Sequence, residues 1–134
     1  MNLGEYFDNA KGHGVLATAD ADGKVNAAMY TRPYFDDDKT AVFIMAERLT
    51  HANLKTNPWA TYLFIESGQG YSGKRLYLKK INEERNSELI GEICRKCDYS
   101  HYNVGNRYIV YFKVDKVLPL VGDKREAYEI GTTV

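Results

Sequence analysis

The sequence predicts a mainly β, α+β fold: a six-stranded antiparallel β-barrel with short peripheral helices. Three observations carry this expectation. Apolar runs of strand length, rich in aromatic and β-branched residues, recur along the 134 residues. Short turns separate several of them, which suits antiparallel neighbours better than parallel ones. Helical periodicity appears in a few brief stretches and no long one. The length suits a single domain, residues 1–134, with a real core.

The opening NLGEYFDNAK sets Leu3, Tyr6, Phe7 and Ala10 on one face of a short helix. Gly12 and Gly14 should end it, and its apolar face suits a lid over a sheet end. GVLATADADGKVNAAMYTRPYF reads as two strands, about 14–19 and 24–32, around the turn DADG at 20–23. Asp-Gly supplies the positive φ that tight hairpins need. Pro33 cannot donate to a ladder, so the second strand ends there or runs along an edge. The acidic DDDK, 36–39, turns the chain into TAVFIMA, 40–46, whose apolar length fits a buried strand.

ERLTHANLKTNPWA, 47–60, holds a very short helix from Thr50 to about Thr56, opened by a hydroxyl residue and stopped by Asn57 and Pro58. Two turns of helix are unstable alone, so this one must serve something else. WATYLFIE, 59–66, is a fourth strand and KRLYLKKI, 74–81, a fifth, joined by the glycine-rich loop SGQGYSGK. Residues 82–97 read as a helix capped by Asn82, with Leu89, Ile90, Ile93 and Cys97 on one stripe. The last strand lies in NRYIVYFKVDKVLPL, where Tyr108, Val110, Phe112 and Val114 alternate with Ile109, Tyr111, Lys113 and Asp115.

Eighteen basic residues balance eighteen acidic ones, so no long-range field steers the chain to nucleic acid or to a membrane surface. No segment reaches the roughly 18 apolar residues of a membrane span, and the first residues do not read as a signal peptide. These features predict a soluble, cytoplasmic protein. Two cysteines, Cys94 and Cys97 in CRKC, make no disulfide framework. They read as plain thiols, with a labile disulfide or a metal shared across a dimer as alternatives. No metal site is expected within one chain.

Hydrolase patterns are missing: no nucleophile elbow, no HExxH, no Walker loop, and His13, His51 and His101 fall in three different contexts. SGQGYSG joins two strands, which does not support a dinucleotide fingerprint. The strand at 40–46 delivers the chain to Arg48, Leu49 and Thr50, where a helix begins and its first amides lack internal partners. That is the outline of an anion site; the plainer reading makes Thr50 a cap and Arg48 a solvated side chain. His51, on the first turn of this helix, reads as a helix-surface histidine, with a polar neighbour of a bound cofactor as the alternative.

GVLATADADGKVNAAMYTRPYF and TAVFIMAERLTHANLKTNPWATYLFIE, with T-HANLKTNPWA at 50–60 and VYFKVDKVLPLVG as a closing strand, resemble the pyridoxamine 5'-phosphate oxidase-like family of FMN-binding proteins. The resemblance implies a six-stranded antiparallel split β-barrel. It implies FMN against Ala28, Met29, Tyr30 and Thr31 on one strand and Met45 and Ala46 on another. Leu49, Thr50 and Asn53 would hold the phosphate. Many relatives have Lys where this chain has Thr50, so Arg48 is expected to carry the positive charge, with Lys74 or Arg75 as other candidates. It further implies a homodimer with flavin at the interface. The chain has no tryptophan beyond Trp59, which argues against pyridoxamine phosphate as substrate.

The expected function is an FMN-dependent oxidoreductase acting on a small-molecule substrate or electron donor, with the redox chemistry supplied by the cofactor. A non-enzymatic binder of flavin, haem or F420 is the alternative. An interaction module with an empty barrel is a third.

Overall fold

In the computed structural model, residues 2–68, 70–96 and 107–122 are described. The chain runs α1 (Leu3–Asn9), β1 (Gly12–Ala19), β2 (Val25–Met29), β3 (Tyr34–Asp37), β4 (Thr40–Ala46), α2 (Leu49–Thr56), β5 (Trp59–Glu66), β6 (Gly73–Glu84), α3 (Ser87–Lys96) and β7 (Arg107–Pro119). The strands form one seven-stranded sheet in the order β2-β1-β5-β6-β7-β4-β3, antiparallel at every pairing. Two expectations are corrected here: the strands number seven instead of six, and the sheet does not close.

The additional strand is β3, which falls partly on the acidic stretch read as a turn. Asp36 and Asp37 are exposed on this edge strand, and Asp37 Oδ1 accepts from the Lys39 amide at 2.8 Å to make the turn into β4. The strand state of Tyr34 and Phe35 comes from pairing with Val42 and Ala41, which local composition cannot reveal. The DADG turn forms as expected, with Gly23 at φ 83° and the Gly23 amide donating to the Asp20 carbonyl. β2 stops at Met29, short of Pro33, and is the other edge of the sheet.

Gly12 and Gly14 do not stop α1; both belong to β1. α1 is capped by Asn2, whose Oδ1 accepts from the Glu5 amide at 2.8 Å, and it ends at Asn9. Gly14 is required because a Cβ there would fall on the Tyr62 ring. β6 runs through Asn82 to Glu84, because that segment keeps pairing with β7 past a register shift. The cap of α3 is therefore Asn86, which accepts from the Leu89 amide at 3.1 Å, and not Asn82. The expected stripe survives: Ile90 and Ile93 are buried against Val42, Ile44 and Ile109, with Leu89 beside them. The reading of CRKC rests on side chains outside the described residues.

The main core lies inside the curl of the sheet. Leu16, Phe43, Met45, Tyr62, Phe64, Leu76, Leu78, Val110 and Phe112 meet there, joined by Leu3 and Phe7 from α1. β4 and β5 are separated in the sheet by β6 and β7, yet the rings of Phe43 and Tyr62 lie 5.0 Å apart across the interior. That contact measures how strongly the sheet coils.

Candidate functional site

The curl brings the end of β2 toward β4 and the start of α2. Between them lies a cleft of about 360 Å³. Asn26, Ala28, Met29 and Tyr30 line one side, Ile44 and Ala46 another, and Arg48, Leu49, Thr50 and Arg107 its polar end. Ala28 and Ala46 are small, so a flat ligand can approach both strands. Met29 and Leu49, 65% and 58% exposed, are large apolar side chains beside it.

The polar end is electropositive for three reasons. Arg48 and Arg107 both reach it, and among the described residues no acidic side chain lines it. α2 starts there: Arg48 is the N-cap residue and no side chain caps the helix, while the Ala52 amide is the first to bond back, to the Arg48 carbonyl at 2.9 Å. The amides of Leu49, Thr50 and His51 thus have no acceptor within the helix, and the helix dipole adds its positive end. Thr50, expected from sequence as a possible cap, is 4% exposed and makes no cap bond. Next to Tyr30 in sequence but outside the cleft lining, Thr31 Oγ1 is buried with no hydrogen-bond partner, which is costly.

Of the residues expected at the site, Ala28, Met29, Tyr30, Ala46, Arg48, Leu49 and Thr50 line this cleft. Thr31, Met45 and Asn53 do not. Met45 is fully buried in the main core. Asn53 is buried, and its Nδ2 donates to Thr18 Oγ1 at 3.1 Å, tying α2 to β1. Thr18→Val would leave that amide buried without its acceptor, and an expected loss of about 1–3 kcal/mol follows. Urea denaturation of the variant checks it; an unchanged midpoint would show that the tie contributes nothing.

The alternative cations lie elsewhere. Lys74 sits 4.7 Å from the centroid of the Tyr6 ring, and Arg75 donates to the carbonyls of Pro119 and Gly122. Sequence reasoning missed Arg107, which reaches the cleft because β7 pairs with β4 and sets Arg107 opposite Ala46. Nothing local in the sequence signals that pairing.

His51 is a second correction. The expected surface histidine is 1% exposed. Its Nε2 lies 3.0 Å from Glu83 Oε1 at the end of β6, and its ring stacks on Tyr108 of β7 at 4.1 Å. Burial opposes ionisation of Glu83, but the Lys80 ammonium, at 2.6 Å, together with His51 outweighs it and holds the carboxyl below its ordinary range. The hydrogen bond that Tyr108 donates to Glu47, with burial, pushes its phenol upward. Among the described residues, no group of three or more His, Cys, Asp or Glu is placed to hold a metal, and no helix is long and apolar enough to cross a membrane.

Comparison with solved structures gives a consistent fold. An FMN-binding protein from Syntrophomonas wolfei subsp. wolfei superposes with a TM-score of 0.75 at 20% identity, covering 92% of this chain and 86% of its own. An F420 reductase gives 0.67 at 17% identity, over 87% of this chain and 97% of the reductase. A putative pyridoxamine 5'-phosphate oxidase from Lactobacillus delbrueckii gives 0.65 at 15% identity, over 87% and 93%. No protein-family model matches the sequence, nor does any curated protein. The chain has the split-barrel fold of the pyridoxamine 5'-phosphate oxidase-like proteins.

Proposed function

We propose that this chain is a soluble, cytoplasmic FMN-binding oxidoreductase that works as a homodimer. One observation carries the proposal: an uncapped helix N-terminus and two arginines stand at one end of a cleft whose other lining residues are mostly apolar, Asn26 being the exception. A flavin mononucleotide has the same polarity, a dianionic phosphate at one end and a flat ring at the other.

The residues present fit such a group. Arg48, Arg107 and the amides at the start of α2 would hold the phosphate, and Thr50 would offer its hydroxyl. Ala28 and Ala46 would admit the ring between β2 and β4, and Met29 and Leu49 would cover its apolar edge. When bound, FMN supplies hydride or single-electron transfer to a small acceptor. The protein's part is to bind, to orient and to exclude water.

Dimerisation is supported by the outer face of β2, β1 and β5. Val25 and Met29 alternate away from the core on β2, while Trp59 and Ile65 do so on β5, all exposed. A second copy covering this face would also cover Met29 at the mouth of the cleft. The substrate or electron donor would then enter beside the ring.

A second reading, a carrier or binder of flavin, F420 or haem without turnover, is favoured by the lining of the cleft. Among the described residues that line it, no His, Asp, Glu, Cys or Lys stands ready to move a proton. The purified protein titrated with FMN should bind it in a near one-to-one ratio per chain, with quenching of flavin fluorescence. Stopped-flow oxidation of NADH or NADPH by the loaded protein would then separate an oxidoreductase from a store. A protein that binds none of FMN, F420 and haem would overturn both readings and leave the interaction module.

A further inference from the structure

α2 has eight residues and no side-chain cap. Its two turns are held by different means. The second turn is fixed by Asn53, which donates to Thr18 of β1, and by Leu54 in the main core. The first turn, the one that carries the free amides, would fray first in a helix so short. What holds it is His51, the third residue of the helix.

The His51 side chain is buried and is held at one ring nitrogen and one ring face, while its Nδ1 has no hydrogen-bond partner among the described residues. Nε2 pairs with Glu83 at 3.0 Å, and the ring lies on Tyr108 with the planes 17° apart. Glu83 is itself steadied by Lys80, while Tyr108 is steadied by Glu47 and by the Arg85 guanidinium 5.1 Å from its ring. His51 therefore binds the first turn of α2 to β6 and β7, while Leu49 and Thr50 on the same turn line the cleft.

We infer that His51, held by Glu83, is a positioning residue for recognition of a ligand phosphomonoester at the start of α2. Its side chain touches no ligand; it keeps the amides of Leu49, Thr50 and His51 and the Thr50 hydroxyl in register with Arg48. The inference rests on the proposed flavin site and names which part of the ligand depends on the clamp.

The test compares FMN with riboflavin, which shares the ring and lacks the phosphate. Dissociation constants for both are measured by fluorescence quenching with the wild-type chain and with His51→Ala, Glu83→Ala and His51→Gln. His51→Ala and Glu83→Ala should weaken FMN by about tenfold or more, the scale of one charge-assisted hydrogen bond, and change riboflavin by less than about twofold. His51→Gln, whose amide can donate to Glu83, should recover most of the loss. Parallel weakening of both flavins would mean a merely structural role and overturn the inference, as would full FMN preference in both alanine variants. If His51→Ala does not fold, Glu83→Ala carries the comparison, since Glu83 is 29% exposed and leaves no deep void. A wild-type chain that binds neither flavin would overturn the proposed function itself, and the inference with it.

Discussion

Arg48→Glu should raise the dissociation constant for FMN by about 30-fold or more while leaving riboflavin affinity within about twofold. Loss of one ion-assisted hydrogen bond to the phosphate is worth roughly 2 kcal/mol, and the reversed charge adds repulsion at the uncapped end of α2. Arg48 is exposed and caps nothing through its side chain, so the fold has little stake in it. Thr50→Glu would put a carboxylate on the same turn, at a position 4% exposed, and should abolish FMN binding at some cost in stability. Visible absorbance of the purified variants, with thermal melts alongside, checks both effects. Retention of flavin by Arg48→Glu would shift the burden to Arg107, and retention by Arg48→Glu and Arg107→Glu together would remove the phosphate end from this cleft.

Phe7→Ala should destabilise the chain by about 3–5 kcal/mol, the usual range for emptying a buried aromatic site. Phe7 is 1% exposed and joins elements far apart in sequence. Its ring stacks on Phe35 of β3 at 5.8 Å, meets Phe64 of β5 edge-on at 5.2 Å and lies 6.2 Å from Tyr62. The rings of Phe64 and Tyr62 cannot readily collapse onto the void, because β5 is paired on both sides. Chemical denaturation checks the figure. A loss below about 1 kcal/mol would show that α1 is a loose cover and not part of the core.

Much of the architecture can be read locally. The apolar run of β4, the aromatic and β-branched run of β5 and the long alternation of β7 each specify a strand through their own residues. The stripe on α3 specifies a helix in the same way. Local reading fails where a partner strand decides. Tyr34–Asp37 becomes a strand because β4 offers a pairing edge, and Asn82–Glu84, read as helix, stays extended because β7 does the same. The first partner lies just across a turn, and the second lies tens of positions away.

The site divides along the same line. Thr50 and its neighbours were legible as the start of a helix, and their helical amides made an anion site plausible; the family resemblance pointed to Ala28, Met29, Tyr30 and Ala46. Arg107 and the true setting of His51 were illegible. Each is fixed by a strand pairing or by a contact with β6 and β7, and a helix-surface histidine has the same local sequence as a clamped one. Asn53 shows the converse: its place in the motif is compatible with a ligand contact, but the structure gives it to Thr18.

The position of β7 governs when the site can exist. It is the last strand of the described chain, yet it stands between β6 and β4 in the interior of the sheet. Without it, β2-β1-β5-β6 and β4-β3 would be two separate pieces sharing no ladder. During synthesis, then, the two walls of the cleft would be made early and left without their common seam, and Arg107 would arrive with the strand that provides it. Folding of this kind depends on contacts between remote parts of the chain and is slow for that reason. A cofactor bound in the cleft would act as a seal on the finished sheet, adding stability that rises with its occupancy and giving nothing to a chain that stops before β7.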